Sequence, residues 1–515
     1  MALWRSTVIV SAMTMLSRVL GLVRDIVLLN VFGAGKDFDT FVVAFRIPNF
    51  FRRLFAEGAF SQAFIPVLTE YKTGRTHAEV QILISRVFGC LMTVMTALTF
   101  LAMVAAPAVL YIYAPGFHAD PEKFDLAVSM FRLTIPYLLF MSLTAFASSI
   151  LNSYGSFASP AFSPVLLNVA MIAGAWWLTP YMAEPIMALG WAVIAAGVLQ
   201  LAIQIPELWH KKLLIPPKVD FKHEGVDRIM KLMLPALFGV SVTQINLLLN
   251  TIWASFMQDG SVSWLYSAER MTELPLGLIG VAIGTVILPA LSTRHAEQDM
   301  SKFRGMMDWA AKVIVLVGVP ASIALFMLST PIIQALFQRG QFTLEDTQMT
   351  ALALQCMSAG VISFMLIKVF APGFYAQQDT KTPVRVGLMA VAANAILNVV
   401  FIGFFKLIDW HAEHMALALA SSGSALVNAG MLYFYLHKRD IFRFGAHWKK
   451  LFIQFGIANA VMIAALWYAL TWYNGDVSQW IRVVEVIGLC VVGVVAYAVG
   501  LLLTGFRPRH LKHEA

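Results

Sequence analysis

The chain has 515 residues, of which 59% are hydrophobic and 13% charged, and its formal net charge is +8. A mean hydropathy of +0.74 excludes an ordinary soluble protein, whose cores could not hide so much apolar surface; hydrocarbon must solvate it. The basic balance does not point to nucleic acid either, because Lys and Arg fall in short loops between apolar stretches instead of along one stripe.

Apolar stretches of about 20 residues or more mark membrane-spanning helices. In chain order they fall at 7–32, 38–68, 80–112, 124–151, 160–180, 186–207 and 227–256, then at 262–291, 304–328, 347–375, 383–405, 414–436, 451–473 and 481–504. The expected fold class is therefore an all-α integral membrane protein with about 14 transmembrane helices. The first stretch contains Arg18 and Arg24, which the apolar core of a signal peptide would exclude, so it reads as a retained first helix. The last two stretches carry Trp467, Trp472 and Trp480 near their outer ends, as interfacial anchors do.

Alternate loops concentrate the cations. Lys72 and Arg75 lie in one, Lys211, Lys212, Lys218 and Lys222 in the next, then Arg294, Lys302 and Arg304. Lys381 and Arg385 follow, then Lys438, Arg439, Arg443, Lys449 and Lys450, and finally Arg507, Arg509 and Lys512 in the tail. The intervening loops hold little beyond Lys36, Lys123, Arg339 and Lys406. By the positive-inside rule both termini are expected in the cytoplasm, which also requires an even number of helices.

A weak internal repeat runs through the chain. GAFSQAFIPVL at 58–68 aligns with VAIGTVILPAL at 281–291, and VLLNVAMI at 165–172 with AILNVVFI at 395–402. Each copy spans six helices, an even number of crossings, so the copies share an orientation and form two pseudo-symmetric six-helix lobes. The expected lobes are 1–209 and 226–438, separated by a basic cytoplasmic loop at 210–225. The remaining helix pair and tail occupy 439–515. Transporters built from such repeats place the substrate site between the lobes.

The functional clue is charge inside these apolar stretches. A cation at the bilayer centre costs about 2.5–3.5 kcal/mol on insertion scales, so it normally faces a bundle interior or a wet cavity. Positions seven apart lie nearly on one line of a helix. Ser17 and Arg24 form one such line, and Arg18 and Asp25 an adjacent one. Asp39, Arg46 and Arg53 repeat at seven, Glu57 follows Arg53 by four, and Arg52 sits one position round. Glu269 and Glu273 flank Arg270 in the eighth helix, and Lys368 is a lone intramembrane cation. Arginine binds phosphate oxygens through two parallel hydrogen bonds and cannot be deprotonated to escape burial. Several forks facing one cavity would bind a diphosphate, with carboxylates keeping them charged and oriented when empty. Internal salt bridging, Arg24 with Asp25, Arg53 with Glu57 and Arg270 with Glu273, is the competing explanation.

Bond chemistry finds no support. The three cysteines, Cys90, Cys356 and Cys490, have no paired spacing, and HAEHM at 411–415 reads as a loop rather than a metal-binding helix. There is no Walker sequence for ATP and no nucleophile elbow. The loops are too short for a catalytic domain. Movement of a substrate, without an enzyme's chemistry or a cofactor, is the expected work.

The opening SAMTMLSRVLGLVRDIVLLNVFGAG, then DTFVVAFRIPNFFRRLFAEGAFSQAFIPVL from Asp39, and later SVSWLYSAERMTELPLG and KVFAPGFYAQQDTKTPV, resemble the MurJ (MviN) family. These are bacterial lipid II flippases of the multidrug/oligosaccharidyl-lipid/polysaccharide exporter superfamily, and the resemblance covers essentially the whole chain. It implies two six-helix lobes around a cationic cavity, and a groove made with helices thirteen and fourteen for a polyprenyl tail. The family's cavity arginines fall on Arg18, Arg24, Arg52 and Arg270, with Ser17, Asp39 and Glu273 beside them. Position 269, often aspartate in relatives, is glutamate here.

The implied substrate is undecaprenyl-diphosphate-linked disaccharide-pentapeptide, moved from the inner to the outer leaflet of the bacterial inner membrane for peptidoglycan synthesis, cell-wall biogenesis and cell shape. Alternating access is the expected mechanism, with the membrane potential as driving force and cell-wall synthesis proteins as candidate partners beside lipid II and the bilayer. A flippase for another polyprenyl-linked oligosaccharide is the nearest alternative. A cation-coupled multidrug exporter would need an acidic or aromatic cavity, and a recruiting scaffold gives no reason for buried arginines.

Overall fold

In the computed structural model every described element is a helix, and there is no strand among the described residues. Described are residues 2–56, 59–277 and 281–507, with side chains at 12–52, 60–233, 245–277, 283 and 287–507. The chain divides into two compact units, Met1–Ser263 and Trp264–Ala515.

The first unit opens with α1 (Ala2–Phe32), α2 (Lys36–Ala56), α3 (Ala59–Gly74), α4 (His77–Val104) and α5 (Ala106–Tyr113). It continues through α6 (Pro121–Thr134), α7 (Tyr137–Ser153), α8 (Ala158–Ala173), α9 (Met187–Ala202), α10 (Ile205–His210) and α11 (Glu224–Ala254). Local sequence sets the helix starts. Thr76 and Glu79 form a capping box at α4, and the Asp120 carboxylate takes the Glu122 and Lys123 amides ahead of Pro121, so otherwise unpaired N–H groups are satisfied. α1 lies along α8, α2 against α6 and α7, and α3 between α7 and α11. Phe60, Phe64, Phe88 and Phe146 pack ring against ring in the α3–α4–α7 core.

The loop after α10 is bound down onto α4. The Ser85 hydroxyl donates to the Pro216 carbonyl at 2.7 Å and the Lys218 amide to the Ser85 carbonyl at 3.1 Å. The contact depends on Gly89, where any Cβ would collide with the Lys218 backbone. α11 packs on α3, so compactness puts it in the first unit; the lobe boundary expected at 210–225 follows the sequence repeat, a separate criterion.

The second unit begins within α12 (Ser261–Pro275) and continues through α13 (Val281–Ala296), α14 (Met300–Met327), α15 (Ser329–Phe337) and α16 (Leu344–Tyr375). It ends with α17 (Lys381–Leu407), α18 (His414–Lys438), α19 (His447–Leu470) and α20 (Gln479–Leu503). α16 is central, with α13, α14, α15 and α18 packed around it. α19 and α20 pair with each other. Fully buried Trp448 ties α19 to α14 by donating its indole N–H to Asp308 at 2.6 Å, and the Tyr497 hydroxyl ties α20 to the Leu316 carbonyl at 2.7 Å. Trp467, Trp472 and Trp480 are exposed, as expected of anchors in the lipid interface.

Among the described residues ten helical stretches are long and apolar enough to cross a membrane. The other expected spans, 7–32, 38–68, 227–256 and 262–291, correspond to α1, α2–α3, α11 and α12–α13. They carry the intramembrane charges or the segments outside the description, so composition alone does not bring the count to 14. Several expected single spans are pairs of helices. The stretch 124–151 breaks at Ile135–Pro136 into α6 and α7, and 186–207 breaks before Pro206 into α9 and α10, because proline cannot donate the interior hydrogen bond. α15 was not expected. Lys123, expected in a loop, lies in the first turn of α6 and is buried. His414, expected in a loop, opens α18 fully buried, with Nε2 2.8 Å from the Met349 carbonyl.

Candidate substrate-binding site

The predicted charges of α1 separate along the helix rather than around it. Residues 12–20 are largely exposed, Arg18 among them, whereas Arg24 and Asp25 are buried. Arg18 and Asp25 therefore differ in surroundings although they lie on one helical line. Arg24 donates to a single oxygen of Asp25 through Nε at 2.9 Å and Nη2 at 2.6 Å. Its Nη1 donates to Oδ1 of Asn168, on α8, at 3.0 Å, and Asn168 Nδ2 donates to the Ser17 carbonyl at 2.9 Å. Ser17 thus contributes a backbone acceptor to this cluster. The Asp25 carboxylate keeps the buried guanidinium compensated, as a charge removed from water requires.

The polar stripe of α2 meets the end of the first unit. Asp39 is buried, and Oδ1 accepts the Ser263 amide at 2.9 Å and hydroxyl at 2.5 Å. Its Oδ2 accepts the Gly260 amide at 2.8 Å and Lys123 Nζ at 3.3 Å. Lys123 also reaches Asp259 at 2.6 Å and lies over the Phe117 ring. Two turns further along α2, buried Arg46 donates to the Thr251 hydroxyl at 2.6 Å. Arg52 is partly exposed and donates Nε to Asn49 Oδ1 at 2.9 Å. The side chain of Arg53 and the whole of Glu57 lie outside the described residues.

The buried Tyr137 hydroxyl, at the start of α7, donates to Gln200 Oε1 of α9 at 3.1 Å.

In the second unit Arg270 is half-buried on α12. It donates Nη1 to Glu273 at 3.0 Å and Nη2 to the Tyr266 hydroxyl at 3.3 Å, with the guanidinium also over the Tyr266 ring. Glu269, one residue before, is partly buried, and Glu273 is exposed. Lys368, on α16, is exposed. Both ion pairs weighed from the sequence that the description covers, Arg24–Asp25 and Arg270–Glu273, are formed. Each leaves its arginine charged and held, the state in which a guanidinium recognises an oxyanion. Among the described residues no cluster of His, Cys, Asp and Glu could hold a metal ion.

Asn168, Thr251, Tyr137, Tyr266 and Lys123 were not singled out as site residues by the sequence. Tyr266, four positions before Arg270, was within reach of a helical-spacing argument. Asn168 and Thr251 lie 144 and 205 positions from the arginines they hold, and only the fold brings them there.

Known proteins place the chain firmly. The family profile described as Lipid II flippase MurJ matches residues 28–488. A Vibrio cholerae protein named "Probable lipid II flippase MurJ" is 44% identical over 521 residues, covering 99% of this chain and 98% of its own. The Burkholderia cenocepacia "Lipid II flippase MurJ" is 39% identical, with both chains covered in full. Among solved structures, "Lipid II flippase MurJ, inward closed conformation" superposes with a TM-score of 0.79 at 26% identity, covering 96% of this chain and 98% of that one. An inward-facing multidrug resistance MATE transporter of the MOP superfamily superposes at 0.64 with 13% identity over 84% of this chain and 97% of its own, a likeness of fold alone. On the extent and identity of these matches, the chain belongs to the MurJ family of multi-pass membrane proteins.

Proposed function

We propose that this protein is a lipid II flippase, carrying undecaprenyl-diphosphate-linked disaccharide-pentapeptide from the cytoplasmic to the periplasmic leaflet for peptidoglycan synthesis. The observation that carries the reading is Arg24, a buried arginine in a membrane helix with Asp25 and Asn168 as its partners. Such a group is too costly in hydrocarbon to be retained for packing. Arg18, Arg24, Arg52 and Arg270 serve the diphosphate, while Ser17, Asp25, Asp39, Arg53, Glu57, Glu269, Glu273 and Lys368 support the cavity. The relatives' names supply the substrate, and no bond-making chemistry is required.

Transport proceeds by alternating access, with the lobes 1–209 and 226–438 rocking so that the cavity opens first to the cytoplasm and then to the periplasm. The protein sits in the inner membrane with both termini in the cytoplasm, an orientation that the distribution of loop cations supports. A potential that is negative inside acts on each unit charge with about 2.3 kcal/mol per 100 mV. It drives an anionic head group outward and draws the emptied cationic cavity back toward the cytoplasm.

Depletion of the protein, followed by a leaflet-accessibility assay, tests the reading. Lipid II should become inaccessible from the periplasmic side; unchanged accessibility refutes the function. Loss of a different polyprenyl-linked sugar from the outer leaflet would reassign the substrate.

A further inference from the structure

We infer that Asn168 is a positioning residue for Arg24, tethering the guanidinium while a substrate oxyanion takes the place of Asp25. The inference rests on the anion-binding reading above and adds a residue and a step to it.

Asn168 is buried on α8 and uses both ends of its amide on α1. The orientation is chemically determined. The Ser17 carbonyl can only accept, so it must meet Nδ2, and the guanidinium can only donate, so it must meet Oδ1. Ser17 and Arg24 are seven residues apart, about two helical turns. The amide therefore braces α1 across two turns and fixes Nη1 in the same stroke.

Asp25 and Asn168 differ in what they do to an incoming anion. Asp25 covers Nε and Nη2 with a full negative charge, and a phosphate must compete with it for the same edge. Asn168 occupies Nη1 with a neutral oxygen. It holds the side chain without offsetting its charge, and it need not leave when phosphate arrives. A guanidinium freed from Asp25 but still tied to α8 has few rotamers left to lose, so less conformational entropy opposes binding. Without Asn168 the anion would have to order the arginine itself.

The test uses the full-length protein in detergent, titrated with farnesyl diphosphate as a soluble polyprenyl diphosphate probe, with thermal unfolding of each variant in parallel. Asn168→Ala should weaken binding about tenfold, the size expected for one charge-assisted hydrogen bond. Asn168→Asp keeps an acceptor toward Arg24 but adds a second carboxylate, so it should weaken binding at least as much although Arg24 stays paired. In an Arg24→Lys background, Asn168→Ala should change affinity less than about twofold, because the tether has lost its object. A purely structural Asn168 would lower affinity equally in both backgrounds, and that result overturns the inference. So does probe binding at the unmodified level by Asn168→Asp, the variant that remains informative should Asn168→Ala fail to fold. If Arg24→Ala binds the probe normally, the anion-site reading itself fails and the inference falls with it.

Discussion

Asp39 and Ser263 are joined by two hydrogen bonds to one carboxylate oxygen, from the Ser263 amide and from its hydroxyl, across 224 positions of sequence. The other oxygen takes Lys123 and the Gly260 amide. One buried carboxylate thus fastens α2 to α6 and to the segment that closes the first unit.

Removing it strands several groups together. Asp39→Ala should cost about 3–5 kcal/mol, because a buried cation and two amides lose their acceptor. Asp39→Asn, which retains one carbonyl oxygen, should cost less, and Lys123 keeps Asp259 in both. Thermal unfolding of the purified variants measures the order; equal midpoints for all three proteins would contradict it.

The Arg24–Asp25 pair sharpens what a functional substitution must look like. Arg24→Ala leaves Asp25 buried without its nearest cation, at a cost of about 3–5 kcal/mol, so lost transport could reflect lost structure. The double change Arg24→Gln with Asp25→Asn removes both charges and keeps hydrogen-bonding groups. It should unfold within a few degrees of the unmodified protein yet fail to move lipid II. Normal flipping by this neutral pair would show that the charge on Arg24 is dispensable.

The motif QDTKTP has a structural reading at the α16–α17 turn. Asp379 accepts from the Thr382 amide and hydroxyl and from Arg439 at 2.6 Å. Burial alone would push its carboxyl up, but the Thr382 bonds and the Arg439 charge outweigh burial and hold it at about 2, below the usual 3.8. A depressed folded value contributes stability that is present above the unfolded value and lost as pH falls through the folded one. About 2 kcal/mol should therefore disappear between pH 4 and pH 2. Asp379→Asn should remove that part of the acid limb in a pH series of unfolding midpoints; an unchanged limb would assign it to other groups.

Gly89 permits the 211–222 segment to lie on α4. Gly89→Leu should displace the Lys218 backbone, break the Ser85 bonds and cost about 1–3 kcal/mol. Limited proteolysis should then cut near Lys211, Lys212 or Lys218 faster than in the unmodified chain. Equal cleavage rates would mean the segment is held elsewhere.

Hydropathy made the ten apolar spans legible, because a span that faces either lipid or neighbouring helices must be apolar over most of its length. α2 and α12 carry several charges each, which break up the apolar signal, while α1 and α11 include side chains outside the described residues. Neighbouring ion pairs were legible for a simple cause: Asp25 follows Arg24, and Glu273 lies three positions after Arg270. Asn168 stood in the internal repeat, yet nothing local marked it as a partner of Arg24. Lys123 illustrates the opposite error, since its place at a helix start suggested solvent, whereas Asp39 and Asp259 allow it to be buried.

Lipid II flipping in proteoliposomes, compared among the unmodified protein and single Arg24→Lys, Arg52→Lys and Arg270→Lys variants, tests the central claim most directly. If these guanidinium forks act on the diphosphate, each lysine variant should stay folded and retain charge but flip about tenfold or more slowly. Undiminished flipping by all three would contradict the account.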